Sequence, residues 1–131
     1  MNVRLTLVTL ATVIGLSGAA QADIFAAGPV YGGPGSAGGS ITCRIFNYGL
    51  SAVSITARQI FTNTNVSIVP AADSCNVVLG VARYCAFTAP ITGNLAYSCR
   101  IAVNGTDTRL SGVAEIQAPN NSILNALPLQ K

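Results

Sequence analysis

Residues 41–58 read ITCRIFNYGLSAVSITAR, and the pattern of these residues indicates the fold class. Apolar residues alternate with polar ones over residues 41–45 and again over residues 53–58, and Asn47-Tyr48-Gly49 supplies turn residues between them. A period of two places successive side chains on opposite faces of a β-strand, so that one face can be buried. The stretch therefore predicts two half-buried strands joined by a turn.

The same pattern continues along the rest of the chain. Short apolar runs bounded by turn residues predict further strands over residues 66–69, 84–88, 95–103, 109–116 and 123–129. Asn104-Gly105 directly follows the longest run, and Asn-Gly between alternating segments predicts a type I′ hairpin that returns along residues 109–116. The last run contains Pro128, which predicts a strand at the edge of a sheet.

The first 22 residues have the three parts of a secretory signal. Arg4 is the basic residue, Leu5 to Leu16 form a short apolar run, and Ala20-Gln21-Ala22 is a small-x-small cleavage site before Asp23. The run is too short to span a bilayer as a helix. We therefore expect a signal helix that is cleaved between Ala22 and Asp23, and a secreted or periplasmic protein with no membrane span after cleavage.

The mature chain divides into a lead-in and one domain. Gly28 to Gly39 contains six glycines and two prolines, a composition of high backbone entropy. It lacks a Gly-Lys-Ser/Thr phosphate-binding signature. Residues 23–40 are predicted to be a flexible lead-in, with Val30-Tyr31 pairing loosely as an edge strand, and residues 41–131 are predicted to form the domain.

The four cysteines predict disulfides, because cysteines in an exported chain are usually oxidised. Three pairings are possible, and the spacing favours one of them. Cys43 and Cys99 each lie mid-strand, 56 residues apart, a separation typical of the intersheet bridge in immunoglobulin domains, and Tyr97 precedes Cys99 by two residues, as in the tyrosine corner of that fold. Cys75 and Cys85 would then close a short loop. We predict an immunoglobulin-like antiparallel β-sandwich of about seven or eight strands.

Two segments resemble the bacterial immunoglobulin-like domains of the hydin type. Residues 47–55, NYGLSAVSI, are similar to that family's Asn-x-Gly-Ser-x-x-Val-x-Ile turn, and the family's later residues have counterparts in order at Cys75, Leu79, Cys85, Phe87-Thr88, Pro90 and Gly93. Ala82 stands where the family has a turn glycine, and Cys43 and Cys99 are additional. The resemblance covers roughly residues 41–103 and implies a Cys75–Cys85 bridge and a structural or interaction module.

Composition excludes several function classes. The net charge is only +3, and the Lys and Arg residues are not clustered. The sequence therefore does not predict nucleic-acid binding. The chain has no histidine, which removes the commonest general base and zinc ligand, and no metal or other cofactor is expected. Only a pair drawn from Asp73, Asp107 and Glu115 could provide the two carboxylates of a glycoside hydrolase.

We therefore expect an exported, non-catalytic structural or binding module with a protein or glycan partner that the sequence does not specify. One alternative is a pilus-type subunit that assembles by β-strand addition, using the Gly-rich segment and the apolar edge at Ile123–Leu129. The other is the carboxylate-dependent glycoside hydrolase. The sequence predicts no oligomeric state.

Overall fold

The computed structural model describes residues 22–75 and 78–131. The predicted signal helix therefore lies outside the described residues, apart from Ala22. The described chain is all-β and contains ten strands and one short 3-10 turn at Pro34–Ser36. The strands are β1 (Asp23–Tyr31), β2 (Ser40–Asn47), β3 (Val53–Thr62), β4 (Ser67–Ile68), β5 (Ala72–Asp73), β6 (Val78–Leu79), β7 (Tyr84–Pro90), β8 (Ala96–Asn104), β9 (Leu110–Gln117) and β10 (Ile123–Pro128).

The strands form two antiparallel sheets that face each other as a sandwich. The first sheet has the order β1-β8-β3-β4, with β6 also paired to β3, and the second has the order β10-β9-β2-β7-β5. The inward positions of both sheets supply one apolar core. The sequence prediction of an all-β, antiparallel sandwich is confirmed at this level.

A disulfide and a buried tyrosine lie at the centre of this core. Cys43 of β2 and Cys99 of β8 are fully buried and form a disulfide that joins the two sheets, with their Cα atoms 5.9 Å apart. Tyr97 is also fully buried, and its hydroxyl accepts a hydrogen bond from the Thr92 N–H and donates one to the Thr92 carbonyl, both at 3.1 Å. The sheets are thus fixed to each other near the β7–β8 corner.

The second disulfide, Cys75–Cys85, lies within the second sheet. Cys85 belongs to β7, and Cys75 follows β5, the edge strand that pairs with β7. The bridge therefore holds a two-residue edge strand, which has few ladder hydrogen bonds of its own, against its neighbour.

The structure differs from the prediction that residues 23–40 form a flexible lead-in. Residues Asp23–Tyr31 form β1, which pairs with β8 along most of its length. Phe25, Ala27 and Val30 point into the core, and a register shift between Ala27 and Val30 keeps Val30 on the inner face. The alternation that buries β1 is short and is broken at Gly28-Pro29, so it was hidden within the glycine-rich composition.

The predicted hairpin at Asn104-Gly105 is wrong. β9 does not pair with β8; it crosses to the second sheet and pairs with β2 and β10. A type I′ turn needs positive φ at both central positions, and neither Asn104 nor Gly105 has one. Both edges of β8 are already occupied, by β1 and β3, so the return strand has no place beside it.

The edges of the two sheets meet on one side of the sandwich. β10 is an edge strand, as predicted, and the chain beyond it reaches β1: the N–H and carbonyl of Ala26 exchange hydrogen bonds with Gln130 at 2.8 and 2.9 Å. Within β10, the Asn125 side-chain amide donates to the Tyr31 carbonyl at 2.9 Å. The apolar run at 123–129 thus completes the domain's own sheet.

Ala82 provides a prediction about stability. Its φ is +54°, a left-handed conformation that costs an L-residue about 1–2 kcal/mol. Its side chain is exposed in the turn before β7, so Ala82→Gly is expected to raise the free energy of unfolding by about 0.5–1 kcal/mol, net of the greater entropy of glycine in the unfolded chain. Urea denaturation of both proteins measures the difference.

Ala52→Gly is the matched control for this prediction. Ala52 is also exposed in a loop but is not among the residues with positive φ, so its replacement is expected to lower stability. An Ala82→Gly protein that is no more stable than the parent would show that the turn does not hold this conformation in solution.

Candidate functional site

Three connections meet at one end of the sandwich, which we call the loop end. They are the β2–β3 loop (residues 48–52), the β6–β7 turn (residues 80–83) and the β8–β9 loop (residues 105–109). Loops carried on a rigid scaffold are where binding residues are most often found. The loop end is therefore the candidate functional surface.

Asn47 organises two of these connections from below. Its side chain is fully buried at the end of β2. The side-chain amide donates to the carbonyls of Ser51 (2.9 Å) and Leu79 (3.1 Å), and the side-chain oxygen accepts from the Gly49 N–H at 2.9 Å. The main chain of Asn47 also bonds with Ala82 and Arg83. One buried side chain thus fixes the β2–β3 loop against the chain around the β6–β7 turn.

Asp107 connects the β2–β3 loop to the β8–β9 loop. Its carboxylate accepts a hydrogen bond from the Leu50 N–H at 2.6 Å and is held side-on by the Arg109 guanidinium, with Nε and Nη2 at 2.8 and 2.7 Å. Ser51 and Thr106 add a hydroxyl pair at 3.1 Å. The hydrogen bond from Arg109, followed by that from the Leu50 N–H, holds the pKa of Asp107 well below its usual range.

Above this framework the loop end exposes apolar side chains. Six of the thirteen large apolar side chains that are exposed in the described part of the chain lie at or beside it: Phe46, Tyr48, Leu50, Val78, Val81 and Tyr84. Leu50 is 82% exposed and Tyr84 is 73% exposed, and Tyr84 pairs with Phe46 on the outer face of the second sheet. Exposed apolar clusters of this kind mark interaction surfaces more often than the scattered apolar residues found on any protein.

A cleft of about 430 Å³ opens beside this cluster. Phe25, Leu110 and Leu129 contribute apolar surface to it, and Tyr48, Arg109 and Lys131 are among its other lining residues. Lys131 forms an ion pair with Asp23 at 2.7 Å. Hydrogen bonds from Lys131 and then from Thr108 lower the pKa of Asp23.

The carboxylates considered for glycoside hydrolysis are not brought together as a pair that serves proton transfer. Each forms its own ion pair: Asp73 with Arg58, Asp107 with Arg109, and Glu115 with Arg44 at 3.0 Å. A general acid of this class needs a raised pKa. The pKa of Asp107 is shifted in the opposite direction.

The other residues singled out from the sequence have structural surroundings. The four cysteines form the two disulfides described above. Ala22 directly precedes β1, and Asp23 is the first residue of that strand. In the sequence, Asn47-Tyr48-Gly49 predicts only a turn. The exposure of Tyr48 and Leu50 could not be predicted, because no alternation of apolar and polar residues accompanies it.

The lowered pKa of Asp107 and Asp23 predicts an acid-dependent loss of stability. Below about pH 4 the unfolded chain takes up protons that the folded chain still excludes, so stability falls as the pH falls through this range towards the folded-state pKa values. Urea midpoints at pH 7, 5, 3 and 2 are expected to decline mainly between the last three values. Asp107→Asn is expected to have a shallower decline, because it no longer contributes to the proton uptake; equal slopes would contradict the role assigned to this carboxylate.

Comparison with known proteins found no family model, no curated protein and no solved structure that matches the chain. Within residues 22–75 and 78–131, no helix is long and apolar enough to cross a membrane. Over the same residues, no group of three or more His, Cys, Asp or Glu side chains is placed to hold a metal ion.

Proposed function

We propose that the protein is an exported, immunoglobulin-like, non-catalytic binding module that recognises a protein partner through its loop end. The observation that carries the proposal is the combination of loops whose main chain is hydrogen-bonded to Asn47 and Asp107 and exposed apolar side chains. Asn47 and Asp107 fix the main chain of the β2–β3 loop, and Tyr48 and Leu50 of that loop remain exposed. A loop whose main chain is held in place before binding loses less conformational entropy when a partner binds.

The immunoglobulin-like assignment is supported by the central strands. β2 and β7 pair in one sheet, β3 and β8 pair in the other, and the disulfide joins β2 to β8. This is the relation of strands B, E, C and F in immunoglobulin domains, where a tyrosine two residues before the second cysteine bonds back to the preceding corner, as Tyr97 does. The positive φ of Ala82 also fits the turn glycine of the hydin-type pattern.

The outer strands depart from that arrangement. In an immunoglobulin domain the strand after F pairs with F, and the first strand pairs with B. Here β9, which follows the F-like strand β8, lies beside β2, and the first strand β1 lies beside β8. The two terminal strands have therefore exchanged places relative to the immunoglobulin order, while the β2–β3 and β8–β9 loops still meet at one end, as the loops of antibody binding sites do.

A protein partner fits the loop end better than a glycan. Aromatic and aliphatic side chains in a desolvated centre surrounded by polar groups are typical of protein interfaces. Here Tyr48, Leu50 and Tyr84 provide the apolar part, and Arg109 and Thr106 provide polar groups.

The two disulfides are compatible with an oxidising compartment, which supports export.

The absence of catalysis is proposed because the carboxylates are committed to ion pairs and because the pKa of Asp107 is lowered. A purified protein that turns over a glycan or peptide substrate, with the activity lost in Glu115→Gln, would contradict this part of the proposal.

Site-specific photo-cross-linking in the producing cells tests the binding surface. A benzophenone amino acid is placed at Leu50 or, as a matched control, at Val69, which is 85% exposed and directly follows β4, the strand that pairs with the far part of β3. We expect a discrete adduct of higher mass from the Leu50 position and none from Val69. Tyr84→Ser in the same chain is expected to reduce that adduct. Equal yields at the two positions, or no adduct at Leu50, would contradict the proposal.

A further inference from the structure

The first strand differs from the rest of the sandwich in how it is attached. Both disulfides join residues between Cys43 and Cys99, so β1 lies outside every covalent loop. Residues 32–39, GGPGSAGG, connect it to β2. β1 can therefore leave its place on β8 without breaking either disulfide and without disturbing the pairing of β2 with β7 and β9.

β1 covers part of the apolar core and one edge of β8. Phe25, Ala27 and Val30 are buried against the core, and Tyr97 and Cys99 of β8 belong to the same cluster. Removing β1 would expose this apolar surface and the edge of β8, which is an open template for another strand. The β1 of a second copy is the segment that reproduces every contact, including the Ala26–Gln130 hydrogen bonds and the Asp23–Lys131 ion pair.

Residues 32–39, which connect β1 to β2 and which we call the hinge, are held in a closed conformation. Gly33 has φ +73° and ψ −172°, and Gly38 has φ +75°. The first of these conformations is almost restricted to glycine. Two hydrogen bonds of the buried Ser36 hold the hinge closed. The Ser36 main-chain carbonyl accepts from the Gly39 N–H at 2.9 Å, and the Ser36 hydroxyl donates to the Gly33 carbonyl at 2.7 Å.

From these observations we infer that β1 is an exchangeable arm, through which two copies of the chain associate by each placing β1 on the β8 of the other. The contacts of β1 are the same within one chain and between two. The balance between monomer and dimer therefore depends on protein concentration and on the conformation of the hinge. The strand that mediates association is β1 rather than the Ile123–Leu129 edge, which is paired with β9 in its own chain.

A cysteine pair across β1 and β8 distinguishes exchange from its absence. Ala26 faces Arg100, and both side chains are exposed. Because the N–H and carbonyl of Ala26 bond to Gln130, Ala26 and Arg100 form a non-hydrogen-bonded pair, in which Cα atoms lie about 4.5 Å apart and a disulfide can form. The Ala26→Cys chain and the Arg100→Cys chain are prepared separately and mixed at a series of rising protein concentrations. Each mixture is incubated in moderate urea, returned to buffer and oxidised.

We expect a dimer cross-linked between the two introduced cysteines, identified by mass spectrometry, in a yield that rises with concentration. The chain carrying both substitutions is the positive control and is expected to form the same bond within a monomer. If that control forms its bond while the mixed chains give no such cross-link at any concentration, β1 does not exchange and the inference is overturned.

The hinge gives a second, independent test. A side chain at Gly33 or Gly35 would meet nothing within 4 Å, but only Gly33 has a positive φ. Gly33→Val therefore strains the closed hinge alone, and we expect the dissociation constant of the dimer to fall by about tenfold or more, measured by sedimentation equilibrium. Gly35→Val is expected to leave it unchanged. Equal constants for the two variants would contradict a hinge at this position.

Discussion

Replacing Cys43 and Cys99 together by alanine is expected to lower the free energy of unfolding by about 4 kcal/mol. The bond closes a segment of 56 residues and joins the two sheets at the centre of the core. Its loss enlarges the unfolded ensemble, and the chain-entropy relation gives this magnitude for a loop of that length. Urea denaturation of the oxidised parent and the double variant measures the loss.

Cys75→Ala with Cys85→Ala is the comparison for this result. Its loop spans 10 residues, and the same relation gives about 3 kcal/mol. The short bridge holds a two-residue edge strand, so its loss is also expected to leave the core packing around Tyr97 intact. A smaller loss for the long bridge than for the short one would contradict the central role given to Cys43–Cys99.

Asn47→Ala is expected to lower the free energy of unfolding by about 3 kcal/mol and to release the loop end. The substitution leaves the carbonyls of Ser51 and Leu79 and the N–H of Gly49 without their partner, and a buried polar group that loses its hydrogen bond costs about 1–3 kcal/mol. Urea denaturation measures the stability, and the backbone amide shifts of residues 48–52 report the release of the loop.

Two other variants serve as comparisons for the stability loss of Asn47→Ala. Asn63→Ala alters an exposed asparagine at the opposite end and is expected to change stability by less than about 0.5 kcal/mol. Asn47→Asp keeps the acceptor for Gly49 but replaces the two donors, so it is expected to be nearly as damaging as alanine. A loss below about 1 kcal/mol for Asn47→Ala would show that water replaces the three contacts and that Asn47 does not organise the loops.

Period-two alternation was sufficient to predict the strands that form the centre of the molecule. β2 and β3 were predicted from residues 41–58, because each buries one face and the alternation of side chains records it. The positions of Cys43, Cys99 and Tyr97 likewise correspond to a bridge and a corner bond present in the structure. These features depend on local side-chain direction, which the sequence pattern carries directly.

The positions of the terminal strands could not be predicted in this way. Whether β9 pairs with β8 or with β2 depends on which sheet edge is free, and that depends on β1, some eighty residues earlier in the chain. The Asn104-Gly105 signal favoured the local partner, and competition for the edge of β8 decided otherwise. β1 was itself hidden, because Gly28 and Pro29 interrupt its alternation.

The loop end was recognised only in part for a similar reason. A turn at Asn47-Tyr48-Gly49 follows from local chemistry. The hydrogen bond that the Leu50 N–H donates to Asp107 joins residues 57 positions apart, and no local pattern predicts it. The exposed apolar side chains became a surface only when the fold brought the three connections together.

We predict that the loop end is organised before any partner binds, and amide hydrogen exchange of the free protein measures this. The Leu50 amide belongs to a residue whose side chain is 82% exposed, yet its N–H is bonded to Asp107. We predict that this amide exchanges at least about tenfold more slowly than that of Thr64, an exposed turn residue at the opposite end, after correction for intrinsic rates. Exchange of Leu50 at the rate of Thr64 would show that the loop is mobile in the free protein, and the proposed binding surface would lose its physical basis.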